Sequence, residues 1–320
     1  VGGIAEMKVG LIDVDGHNYP NLPLMKISAW HKSQGDHVEW YSPLLSGHMD
    51  RVYLSKVFSF TPDYTDPIDA DEVIRGGSGY CIELEGGKEV YRAERDTALP
   101  PEIEHIYPDY GLYPEKTKNT AYGFLTRGCP RGCAFCHVAA KEGRCSVKVA
   151  DLAEFWMGQE KIVLLDPNIL ACRDWEDLLG QLISSRALVD FNQGLDVRLA
   201  TPEKIAMLNR IRMKYVHLAW DRPEENLESD FERFSRLYSR KHPANKVVYV
   251  LVNFSSTLDQ DFYRIYTLRR LSFDPFIMIY DKEHAAPIYK KIQRWVNCRP
   301  IWRNCPRFED YNASTNNGRK

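Results

Sequence analysis

Three cysteines, Cys129, Cys133 and Cys136, follow one another in the spacing Cys-x3-Cys-x2-Cys, with Gly128, Pro130 and Gly132 among them. Three thiolates so close on one loop have one strong physical use, to grip a metal centre. The glycines let the backbone curl so that the sulfurs face inward, and Pro130 lowers the entropy of that curl. A structural zinc site takes four protein ligands, often as two separated pairs, and no second pair follows here. A four-iron cluster held by three cysteines keeps one iron open for a ligand that is not protein. Against this chemical reading stands the blander one of a zinc knuckle or three unrelated thiols.

The chain that must position this loop has 320 residues, a length that suggests two domains or one large domain with an extension. Its 44% hydrophobic and 27% charged residues have ordinary globular proportions, so a buried core is expected. The net charge of -2 gives no global basic field to attract nucleic acid, and only a local patch would serve. No apolar run is long enough to span a membrane, and the beginning lacks the basic and apolar regions of a signal peptide. Residues 1–6 read as an added leader ahead of Met7, and residues 312–320 as a frayed end. The cysteines outside the loop, Cys81, Cys145, Cys172, Cys298 and Cys305, are scattered and form no disulfide framework. The expected compartment is the reducing cytoplasm. Cys298 and Cys305 have no companion pair, which favours plain thiols over a second cluster.

From Ala121 onward, strand patterns alternate with amphipathic helices. The strands fall at 121–126, 161–165, 188–192, 215–220, 246–254 and 276–280. Trp175, Leu178, Leu179 and Leu182 mark one helix, and Thr201-Pro202 open a second as cap and first-turn proline. Phe231, Phe234 and Tyr238 mark a third. Asp259 is the expected cap of a fourth that carries Phe262, Ile265 and Leu268, and Ile288, Ile292, Trp295 and Val296 mark the last. Strands apolar on both faces, alternating with helices, predict a parallel sheet covered by helices. The cysteines fall just after the first of these strands.

Upstream, 8–15 reads as a buried strand, 21–34 as a helix closed by Gly35, and 37–41, 51–60 and 72–74 as further strands. This is the opening of an open parallel α/β sheet, whose ligand side would lie near Asp13, Asp15, Gly16, His17, Ser59 and Ser78. The histidines His17, His31, His37 and His48 read as surface or helix residues. Residues 99–118, rich in proline, tyrosine and acid, read as an extended linker.

The cysteine spacing, with Phe135 in the aromatic position before the third cysteine, resembles the signature of the radical S-adenosylmethionine (SAM) enzymes. The six strand–helix units resemble that family's partial (β/α)6 TIM-like barrel. The preceding sheet resembles the Rossmann-like cobalamin-binding domain of one subgroup, in shortened and degenerate form. The resemblance implies a degenerate Rossmann-like α/β domain over 7–98, a linker over 99–120, the radical SAM core over 121–297 and an extension over 298–320. It further implies a [4Fe-4S] cluster on Cys129, Cys133 and Cys136, with SAM chelating the open iron.

Asp166 and Asn168 then stand where the family binds the SAM amino group, and carboxylate and amide oxygens can accept the ammonium protons. Arg198 is placed to pair with the SAM carboxylate, and Gln193 or Asp196 to bind ribose hydroxyls. Trp220 either stacks on a ligand or fills the interior. Asp221 closes the fourth strand, and Asn253, with Phe254, Tyr280 and Asp281, closes later ones near adenine or substrate. His137 has either a pocket or an ordinary loop role. The Asp-x-His-x-x-Gly pattern of base-off cobalamin proteins is absent, since Asp15-Gly16-His17 has another spacing; many members of the subgroup lack that pattern too, so a cobalamin cofactor stands as the alternative to a degenerate domain that closes the active site.

Three functions follow from the resemblance: a radical SAM enzyme abstracting hydrogen from a small molecule, peptide or nucleobase; a cobalamin-dependent radical SAM methyltransferase; and a non-catalytic iron–sulfur or zinc protein. The enzyme readings imply an external one-electron reductant such as flavodoxin or ferredoxin. Neither a membrane nor a nucleic-acid partner is signalled, and the aromatic, basic tail from Trp295 to Tyr311 is expected to pack rather than to bind a polyanion.

Overall fold

The computed structural model describes residues 6–85 and 88–312. The leader and the frayed end lie outside these residues except for Glu6 and Asn312. The chain divides into two compact units, Val1–Val163 and Leu164–Lys320.

In the first unit, β1 (Lys8–Asp13), β2 (His37–Trp40), β3 (Met49–Ser55) and β4 (Ala70–Gly76) form a parallel sheet in the order β2-β1-β3-β4. The helix Leu22–Gln34 joins β1 to β2. The Asn21 side chain accepts from Leu24 N–H at its start, and Gly35, at φ 89°, ends it. Its Leu24 and Ile27 pack on Val9, Leu11 and Tyr53 of the sheet, with Ile103 closing the cluster. Burying each such side chain contributes about 1.5 to 3 kcal/mol. A hairpin follows, β5 (Ile82–Glu85) with β6 (Lys88–Tyr91).

The segment 99–118 is not simply extended. Pro101 and Pro114 sit in the first turns of two short helices, Pro101–Glu104 and Pro114–Thr117, where a missing N–H costs nothing. Asp109 accepts from Ser28 and Lys32 of the helix Leu22–Gln34, and buried Tyr113 donates to Asp13 Oδ2 at 2.7 Å. The segment is therefore folded against the sheet and its helix.

Further on come β7 (Thr120–Gly123), β8 (Thr126–Arg127), β9 (Val147–Lys148) and β10 (Lys161–Leu164). The strand expected at 121–126 is thus split into β7 and β8. β8 pairs antiparallel with β9, and β7 lies beside β10.

In the second unit, β11 (Leu188–Phe191) is followed by a parallel sheet of β12 (Val216–Ala219), β13 (Lys246–Val252) and β14 (Asp274–Ile279), in the order β12-β13-β14. A single parallel bridge, Leu195 to Leu218, extends β12 on its other side. The helices Trp175–Ser185, Pro202–Leu208, Glu228–Leu237, Leu258–Arg270 and Pro287–Asn297 separate or follow these strands. The cap of Leu258–Arg270 is Thr257, in a capping box with Gln260, and Asp259 lies in the first turn. Trp295 and Trp302 are buried edge to face at 5.1 Å, so this part of the tail packs as expected. The architecture is mixed α/β with parallel sheets, and among the described residues none of the sheets closes into a barrel. Among the described residues no helix is long and apolar enough to cross a membrane.

Candidate functional site

The cysteine loop belongs to the first unit, and its base is closed by the β8–β9 pairing of Thr126 with Lys148 and Arg127 with Val147. Leu125 and Thr126 anchor that base in the interior at 0% exposure. Cys129, Cys133, Phe135 and Cys136 then lie on the partly accessible loop that leads into the helix Val138–Lys141. Cys136 N–H closes a turn onto Cys133 O at 3.0 Å, and Cys129 N–H donates to Gly143 O at 3.1 Å. Gly128 has φ 84°, and a Cβ there would meet Cys145 O at 2.2 Å, so only glycine fits where the loop begins.

Side chains outside the cysteine pattern fix the loop. Glu142 accepts from Arg127 Nη1 at 2.9 Å and from Gly128 N–H at 3.1 Å. Arg127 also lies over the Phe124 ring, 3.5 Å from its centroid. Lys141 is held by Asp96 at 2.5 Å, and His137 Nδ1 by Glu89 Oε2 at 2.8 Å. His137 thus has a carboxylate partner on β6.

The donor set fits a cluster with one open iron: three thiols on one accessible loop. Among the described residues no group of three His, Cys, Asp or Glu side chains could hold a metal ion as placed.

The remaining sequence candidates belong to the second unit and stand just past strand ends, those of β10 to β13. Asp166 and Asn168, just past β10, are buried at 5% and 3% exposure. Gln193 is exposed. Asp196 Oδ1 accepts from Arg198 N–H at 3.2 Å and Nε at 2.7 Å, and the Arg198 guanidinium also reaches Glu225. Arg198 therefore already holds two carboxylates, and a ligand carboxylate would have to displace or share one of them. Asp221 accepts from Leu251 N–H at 3.1 Å. Its burial outweighs that bond and the Arg264 and Arg198 charges, and pushes its carboxyl up to about 6. Asn253, at φ 66°, donates to Tyr280 O at 2.8 Å and ties the ends of β13 and β14 together. Trp220 is buried, stacks on Phe231 and donates to Glu225 O, so it fills the interior.

The structure thus brings together Asp196, Arg198 and Asp221, and adds Glu225 and Arg264, which motif reading passed over. Arg264 is fully buried and donates to Trp220 O and Leu251 O, the backbone that carries Asp221. A charged residue on the helix face that also holds Ile265 and Leu268 was the sequence signal for it.

No family model matches the sequence, and no curated protein matches it either. Among solved structures, the radical SAM methyltransferase TsrM from Kitasatospora setae, with cobalamin and a [4Fe-4S] cluster bound, aligns with TM-score 0.58 and 11% identity. The alignment covers 86% of this chain and 75% of that one. A second TsrM structure, with tryptophan substrate and the SAM analogue aza-SAM bound, aligns at TM-score 0.42 and 13% identity over 84% and 66% of the two chains. The second score carries no weight, and at such identity the first speaks for fold alone: this chain resembles a radical SAM methyltransferase in its fold.

Proposed function

We propose that the chain is a radical SAM enzyme that abstracts a hydrogen atom from its substrate. The observation that supports it most is the Cys-x3-Cys-x2-Cys loop itself, braced by Glu142 and Arg127, in a chain with a radical SAM-like fold. Cys129, Cys133 and Cys136 would hold a [4Fe-4S] cluster. Bound there and reduced by an external flavodoxin or ferredoxin, it supplies the electron that splits SAM into methionine and a 5'-deoxyadenosyl radical.

The protein's own residues orient SAM and keep water away. Asp166 and Asn168 would accept the SAM ammonium, and Arg198 would take its carboxylate in exchange for Glu225 or Asp196. Gln193 and Asp196 would bind ribose, with Phe135, Asp221 and Asn253 lining the remainder. In this reading the units from 121 to 297 are a partial (β/α)6 barrel, 7–98 a degenerate Rossmann-like domain, 99–120 its linker and 298–320 an extension. The setting would be the cytoplasm.

A second reading, a cobalamin-dependent radical SAM methyltransferase, is favoured by one observation. The first unit contains a cavity of about 940 Å³ at the ends of β3 and β4, with Leu54, Ser55, Gly76 and Gly77 in its wall. It also reaches Arg127 and Lys141, on either side of the cysteine loop.

The test is anaerobic reconstitution with iron and sulfide, then dithionite and SAM, with 5'-deoxyadenosine quantified against Cys133→Ala. Product that disappears in the variant is the expected result. Zinc without iron under these conditions would refute the radical reading. Cobalamin retained by anaerobically purified protein would select the methyltransferase.

A further inference from the structure

We propose that the first unit binds a small organic cation, an alkylammonium or guanidinium compound, in an aromatic-walled cavity at the carboxyl ends of β1 and β2. The cavity has about 360 Å³ and is lined by Trp40, Tyr41 and Tyr64 together with Asp13, Asp63 and Asp66. That volume suits a molecule of choline or arginine size, at the lower end of ordinary ligand pockets. It opens beside the place where the strand order reverses, between β1 and β3 in the order β2-β1-β3-β4, where open parallel sheets bind ligands.

The chemistry of the wall selects the ligand. The lining contains no lysine or arginine. Lys56, from outside the lining, pairs with Asp63 at 2.6 Å. Among the described residues, Asp13 and Asp66 have no such salt bridge. Burial raises the Asp13 carboxyl above the ordinary range, outweighing the bond it accepts from Tyr113 at 2.7 Å and the charge of His17, which also lines the cavity; both of these lower it.

The aromatic wall is fixed as well as present. Trp40 meets His17 edge-on at 4.3 Å between ring centroids and Tyr113 at 5.3 Å. Tyr41 is held by accepting from Asp69 N–H at 2.8 Å. Ring faces beside carboxylates attract a cation by two mechanisms, quadrupole and charge. An anion would be repelled, and a neutral ligand would leave the carboxylates without compensation.

The site stands apart from the chemistry of the cysteine loop and would persist in a chain that takes up no iron. The test is calorimetric titration of the full chain at low salt with choline, with agmatine, and with 3,3-dimethyl-1-butanol, the neutral isostere of choline. Choline or agmatine should bind, with the neutral alcohol at least about tenfold weaker. Asp66→Asn, an exposed change that leaves the fold intact, should weaken the cation severalfold and leave the alcohol unchanged, and Trp40→Leu should weaken both. Equal affinity for choline and its isostere, indifference to Asp66→Asn, or no binding of either cation would each overturn the assignment.

Discussion

Two parallel sheets of this chain, β2-β1-β3-β4 and β12-β13-β14, are covered in opposite ways. In the second unit the chain from β12 to β13 contains Glu228–Leu237, that from β13 to β14 contains Leu258–Arg270, and Pro287–Asn297 follows β14. These helices bury Phe231, Phe234, Ile265, Ile292 and Trp295 at 0% exposure. Within the sheet β2-β1-β3-β4 of the first unit, the β1–β2 connection carries a helix, whereas the chain passes from β2 to β3 and from β3 to β4 through loops. Those loops leave Leu44, Leu45 and Phe60 at 92%, 87% and 76% exposure. Missing cover also leaves room: both cavities proposed for ligands lie in the first unit. One sheet is built for stability, and the other gives up burial for openings.

The largest effect that could break this contrast is at Arg264. Arg264→Met removes the donors of two buried carbonyls and leaves Asp261 buried without its 2.5 Å partner. Breaking such a pair costs about 3 to 5 kcal/mol. Hydrogen exchange should show amides of β12 and β13 losing protection while those of β1 and β3 hold. Loss in both sheets alike would mean that the units share one stability and that the contrast describes cover alone.

Asp221→Asn should act in the other direction. The folded carboxyl keeps its proton up to about pH 6, while an unfolded aspartate loses it near 4. Between those values the native state binds more protons, so stability falls as pH rises, and the full penalty of about 3 kcal/mol is present above pH 6. Asparagine keeps the acceptor for Leu251 N–H without the charge. The variant should melt higher than wild type at pH 7.5, with the gain vanishing toward pH 4. An equal gain at both pH values would show that the Asp221 charge is not the cause.

How much of this was legible in the sequence differs by region for the same physical reason. Where structure is local, the residues announced it: Asn21 and Gly35 bracket the helix Leu22–Gln34, and Thr201-Pro202 open Pro202–Leu208. The strands of the second half fall within about two residues of their expected places, since burial on both faces leaves an unbroken apolar run. The cap at Thr257 was readable as well, because Thr257 and Gln260 have capping-box spacing, yet the acid two residues on drew the assignment. Long-range partners were not legible. Glu142 reaches Gly128 only because β8 pairs with β9, Arg264 finds its acceptors on β13 and just past the end of β12, and Tyr113 finds Asp13 across most of the first unit. The cysteine spacing announced a metal site, but nothing local announced what braces it.

Glu142 tests whether the first unit, open elsewhere, is rigid at its loop. Glu142→Ala removes two hydrogen bonds, one of them to a guanidinium, worth about 1 to 3 kcal/mol of loop order. Glu142→Gln keeps an acceptor for Gly128 N–H and should retain most of it. Iron content after reconstitution, together with exchange of loop amides in the iron-free protein, should fall and rise respectively in the alanine variant and recover in the glutamine one. Wild-type values for both readouts in the alanine variant would mean that Glu142 does not brace the loop.

The smallest effect is expected at Tyr113→Phe. The phenol donates to a carboxylate at 2.7 Å, and its own ionisation is pushed well above the ordinary tyrosine value by burial and by the Asp13 charge. It is therefore a neutral donor throughout the accessible pH range, and its loss should cost about 1.5 kcal/mol at neutral pH. The ring stays against Trp40, so packing is preserved. Without its donor, Asp13 is harder to ionise, and the loss should shrink at low pH, where Asp13 is protonated in both proteins. Choline affinity should move in step, because the carboxylate that attracts the cation would be populated less at a given pH. A Tyr113→Phe protein equally destabilised at pH 4 and pH 8 would assign the tyrosine to packing alone, and would remove Asp13 ionisation as the link between the folded linker and the open face of the first sheet.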